Sequence, residues 1–112
     1  MAADRLTSAM LVGVLVRRAA AAGGFATVLA KGDAISGVIL VEAVERGKPQ
    51  GLFERTPDFA GRYVLNRCGP PPESGPDMLS QYIERRRRVD PDLWVIELDI
   101  ADAERFAAET IC

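Results

Sequence analysis

The chain has 112 residues, 48% hydrophobic and 27% charged, with a formal net charge of −2. That balance describes one globular domain with room for a core. It excludes a disordered chain and a broadly cationic surface for nucleic acid or anionic lipid. Histidine is absent, which removes His-activated nucleophiles, His acid–base chemistry and His-containing zinc sites.

At the N-terminus, Ala9–Val16 has the length of a secretory apolar region, and Ala19–Ala22 could mimic a cleavage site. Arg17 and Arg18 stand between the two, and Asp4 offsets Arg5, so the segment reads as mature structure. Thr7 or Ser8 can cap a helix that continues to Ala22, with Gly23-Gly24 as its stop. Met10, Leu11, Val14, Leu15 and Arg18 follow helical spacing, although Val12, Val14 and Val16 would also suit a strand.

Phe25 to Lys31 reads as a strand. A second covers Gly37 to Val44, where the run Val38–Val41 is apolar on both faces and therefore central in a sheet. The stretch Arg46–Pro49 turns the chain, since proline cannot extend a central strand. Gly51–Arg55 and Arg62–Arg67 form a further pair around Thr56–Asp58. These short spacers favour an antiparallel meander. The stiff connector Cys68–Pro76 leads to a helix over 76–89, with Pro76 at its first position and an apolar face of Met78, Leu79, Tyr82, Ile83 and Val89. Asp90-Pro91-Asp92 ends it, Leu93–Leu98 is a strand apolar on both sides, and Ala101–Glu109 can close the chain as a short helix. The expected architecture is α+β: a mainly antiparallel five-stranded sheet, an N-terminal helix and a helix before the last strand. No apolar run nears the roughly 18 residues of a membrane span.

Chemistry-bearing patterns are few. No glycine loop has the order that cradles a phosphate or a dinucleotide. Cys68 and Cys112 have neither disulfide nor metal spacing, so no cofactor or metal is expected, and reduced thiols in the cytoplasm suit them. Arg67 beside Cys68 raises the question of a redox thiol.

Charge is unevenly placed. Residues 90–112 hold seven acids against Arg105 alone. The sharpest feature is Arg85, Arg86, Arg87 and Arg88. Four consecutive residues, each about 100° from the next, spread over about 300° of helix and cannot all face one partner. Glu84 can pair with Arg87 or Arg88. The reading of choice is a solvated helix end; phosphate, nucleic acid or a partner's acidic patch are the alternatives. Trp94 shares a strand face with Ile96 and Leu98, as a core or interface anchor rather than a stacking platform. Glu97 and Asp99 share the opposite face, a spacing that suits paired carboxylates.

One set of blocks adds a resemblance. Leu15–Arg18 with Ala20–Gly23, Phe25–Val28, Gly32-Asp33, Gly37–Val41 and Glu54-Arg55 lead to the most specific run, Tyr82–Arg85 with Asp90–Val95 and Glu97. Over nearly its whole length the chain resembles the small bacterial proteins grouped as domain of unknown function 1491. The resemblance implies a small cytoplasmic bacterial protein and carries over no catalytic residue. Three readings follow. The first is a non-enzymatic interaction module binding a protein partner or itself, with Met10–Val16 and an open sheet edge as contact surfaces of a homodimer. The second is nucleic-acid or phosphate binding through Arg85–Arg88. The third is a small-ligand binder or enzyme using carboxylates, Tyr63 or Tyr82, and arginines.

Overall fold

The computed structural model of the protein describes residues 6–112; Asp4 and Arg5 lie outside them. Helix α1 (Ser8–Ala21) begins where the Thr7 hydroxyl accepts a 3.2 Å bond from the Met10 amide. It ends where Gly23, at φ 86°, lets the Gly24 amide return to the Ala19 carbonyl at 2.8 Å. Strands β1 (Phe25–Ala30), β2 (Ile39–Glu45), β3 (Lys48–Pro57) and β4 (Tyr63–Cys68) follow. Helix α2 (Pro76–Val89), strand β5 (Trp94–Asp99) and helix α3 (Ala103–Ile111) complete the order.

The expected α+β class, with its five-stranded sheet and both helices, is what the molecule shows. The neighbour order differs from a simple meander. It is β1-β5-β2-β3-β4, antiparallel except that β5 runs parallel to β2. Only β2, β3 and β4 form a meander. The last strand enters between β1 and β2, because Leu93–Leu98 is apolar on both sides and needs cover on both faces.

Pro49 does not end a strand. The turn is the two-residue Arg46-Gly47, both at positive φ (52° and 79°), which suits a tight hairpin. Pro49 lies within β3 at a register shift opposite Ala43 and Val44, where a missing amide donor is tolerated.

Two apolar layers hold the sheet. On one face, Leu11, Val12, Leu15 and Ala19 of α1 and Ala103, Ala107 and Ile111 of α3 pack on Ile39, Val41, Phe53, Trp94, Ile96 and Leu98. On the other, Leu79, Tyr82 and Ile83 of α2 cover Leu40, Leu52, Leu93 and Val95. The apolar face expected of α2 is narrower than its sequence implied: Met78 is exposed and Val89 is 88% exposed. Among the described residues, no helix is long and apolar enough to cross a membrane.

Candidate functional site

The four arginines part company at the end of α2. Arg86 turns inward, where its guanidinium donates to Glu54 at 3.1 Å and to the Tyr82 hydroxyl at 2.9 Å. Burial opposes its charge, but these partners outweigh that and hold its pKa above the ordinary arginine value. Arg85, Arg87 and Arg88 are exposed, and no described carboxylate lies within ion-pair distance of them. The pairing expected of Glu84 with Arg87 or Arg88 is therefore not made. Trp94 is 4% exposed, and its indole N–H donates to the Asp33 carbonyl at 2.7 Å, so both the ring and its polar edge are engaged within the chain.

The expected carboxylate pair on β5 also separates. Asp99 accepts from the amides of Arg46 (2.8 Å) and Gly47 (3.1 Å), stapling the β2–β3 turn to β5. Glu97 instead stands beside Glu42 in the parallel register. Burial first, and then the Glu97 charge, push the Glu42 carboxyl above its ordinary range. Glu42 also borders a pocket of about 70 Å³ between Leu52, Leu79 and a wall of prolines that includes Pro49 and Pro71. Glu42 was a missed residue, although an acid inside the run Val38–Val44 is a readable anomaly.

Cys68 and Arg67 face opposite sides of the sheet. Arg67 lies over the Phe53 ring (4.9 Å) and donates to the Gln50 carbonyl (3.3 Å). Burial pushes the half-buried Cys68 thiol up, against thiolate formation.

Strand β1 is the outermost strand beside β5. Hydrogen bonds fix which way its backbone faces. The amides of Trp94 and Ile100 donate to the β2 side, at Val38 O (2.8 Å) and Val44 O (3.1 Å). Even-numbered β5 residues therefore point to β2, and Val95, Glu97 and Asp99 point to β1. Their partners are Ala30, Thr27 and Phe25. Ala26 and Val28 must then direct N–H and C=O to the free side, where no other described strand pairs. A bulge between Val28 and Ala30 ends this open stretch. The strand Phe-Ala-Thr-Val-Leu-Ala carries no charge, and Phe25 (72%), Val28 (42%) and Leu29 (50%) are exposed. By contrast β4, at the other edge, carries Arg67.

The Met10–Val16 contact surface is largely withdrawn, because Leu11, Val12 and Leu15 belong to the core and Met10 alone of these large side chains is markedly exposed.

Residues 6–108 match the family model described as protein of unknown function (DUF1491). The chain belongs to the DUF1491 family. A crystal structure of a DUF1491 family protein from Caulobacter crescentus CB15 is 38% identical, covers 90% of this chain and 94% of its own, and superposes with a TM-score of 0.77. An NMR structure of a DUF1491 family protein from the same organism is 36% identical over 91% and 92%, with a TM-score of 0.74. The solution structure of protein Atu0922 from A. tumefaciens is 34% identical over 86% of each chain, with a TM-score of 0.66. No curated protein matches. The family thus extends across the β1, α2 and β5 segments that build the features above.

Proposed function

We propose that this chain is a single-domain, non-enzymatic interaction module of the cytoplasm that takes up an extended protein segment along the free side of β1. The observation that carries this reading is the outward N–H and C=O of Ala26 and Val28 in a strand without charge. An unpaired edge is a template for strand addition, and proteins that keep monomeric edges blunt them with charge, proline or cover. The bulge after Val28 limits the template to one short stretch.

The test uses a capped six-residue peptide alternating valine and threonine, titrated into labelled full chain and followed by NMR. Saturable shifts and slowed amide exchange at Ala26 and Val28 are expected. Val28→Pro, which removes an outward donor and leaves the bonds to β5, should abolish them. Unchanged Ala26 and Val28 amides at saturating peptide, in a chain that is monomeric under the same conditions, would overturn the reading.

A second reading draws on exposed Arg85, Arg87 and Arg88, which pair with no carboxylate among the described residues: contact with phosphate or nucleic acid. Binding of a duplex oligonucleotide that weakens steeply with salt and is lost on charge reversal of these three would support it. Salt-insensitive or undetectable binding would count against it.

A further inference from the structure

Building on the strand-addition reading, we propose that the segment β1 takes up is β1 of a second copy, antiparallel about a twofold axis through Thr27. The backbone chooses this register. In a twofold antiparallel pair, each outward-facing residue must meet another outward-facing residue. Centring on Ala26 would set Val28 against Gly24, whose amide is already held by the Ala19 carbonyl. Centring on Val28 would set Ala26 against Ala30, which lies beyond the bulge and faces β5. Centring on Thr27 sets Ala26 against Val28 twice, so all four outward donors and acceptors on each edge find partners.

Side chains agree with that choice. Thr27 meets Thr27 of the second copy in the close, non-hydrogen-bonded position, with Cα atoms about 4.5 Å apart. Threonine pairs and apolar pairs are favourable across strands. Exposed Phe25 of each copy comes beside exposed Leu29 of the other. No charge in either strand repels its twin. The product is one ten-stranded sheet, since β1 is an end strand in each copy. Its central row runs Glu42, Glu97, Thr27 and then the same residues reversed, following the existing registers.

Sedimentation equilibrium of the unmodified chain at high micromolar concentration should give twice the chain mass, and Thr27→Lys should give the monomer mass by placing like charges at the axis. In a Cys68→Ser, Cys112→Ser background, Thr27→Cys should form an intermolecular disulfide under mild copper–phenanthroline oxidation, because about 4.5 Å lies within bridging range. Phe25→Cys, far from its own twin, should not. Efficient cross-linking through Phe25→Cys but not Thr27→Cys would overturn this pairing. A strictly monomeric chain that still adds the valine–threonine peptide would overturn self-pairing and leave the module reading standing. A monomer that ignores the peptide would overturn both.

Discussion

Glu42 and Glu97 share one rung of the parallel ladder between β2 and β5, two like charges on the side of the sheet that carries α2. The arrangement has a definite pH signature. Burial first, and Glu97 second, raise the folded-state pKa of Glu42 above its ordinary value of 4.5. A raised folded pKa means that the folded state holds the proton more tightly than the unfolded chain. The stability this contributes is complete below about 4.5 and is lost as pH rises through the folded value. Glu42→Gln is expected to stabilise the protein at neutral pH by roughly 0.2–1 kcal/mol, the scale of a cross-strand charge pair. Thermal melts at neutral pH and below the ordinary carboxylate range check it. The gain should shrink towards zero on the acid side; an equal gain at both pH values would count against the charge argument.

Trp94 joins the two ends of its own strand's environment: the ring packs with Ile96 and Leu98, while its N–H reaches the Asp33 carbonyl. Trp94→Ala should destabilise by about 3–5 kcal/mol through lost area and cavity formation. Trp94→Phe keeps most of the apolar contact and leaves the Asp33 carbonyl with its 3.2 Å bond from the Gly37 amide alone, a lost hydrogen bond costing roughly 0.5–1.5 kcal/mol. Urea titrations of both variants give the comparison. A Trp94→Ala midpoint equal to that of the parent would refute the anchoring role.

Arg86 and its neighbours allow a within-helix contrast. Arg86→Met removes the donor to Glu54 and to Tyr82 and leaves a half-buried carboxylate unpaired, for an expected loss of about 1–2 kcal/mol after allowance for solvent screening. Arg88→Met, at an exposed position, should stay within about 0.5 kcal/mol of the parent. Equal effects from the two substitutions would show that the inward bonds contribute nothing in solution.

The elements set by local chemistry were readable from the residues. Thr7 and Gly23 delimit α1, Pro76 opens α2, and the two-sided apolar runs in β2 and β5 mark central strands. The neighbour order was not readable, because β5 reaches β1 across some seventy residues of chain and no local pattern encodes that pairing. Nor was the split among the arginines, since which of four successive residues turns inward depends on where α2 lies against Glu54. The free side of β1 follows from the same long-range step. An edge can be located only once every other strand has its partners.

Gly32 and Gly37 are expected to be the least replaceable glycines for a steric reason rather than a conformational one. A Cβ on either would fall against the carbonyl of Asp92, and on Gly32 it would also lie 2.7 Å from Cδ1 of Trp94. The loop carrying them is tied to that same carbonyl by the Asp33 amide at 2.9 Å, and Asp33 in turn accepts from the Ile35 and Ser36 amides at 3.1 and 2.9 Å. Neither backbone can withdraw without breaking these bonds. Gly32→Ala should therefore cost at least the roughly 1–3 kcal/mol of core overpacking, and disturb the Trp94 fluorescence maximum by moving the indole. Gly13→Ala is the matched control. It sits inside α1, where the added methyl meets only the flexible end of Arg17 at 3.2 Å, so the alanine should stabilise by roughly 0.5–1 kcal/mol. Denaturant midpoints moving in opposite directions, with the emission change confined to Gly32→Ala, are the expected outcome. A tolerated Gly32→Ala would mean that the Asp90–Asp92 turn stands farther from the loop than this packing requires.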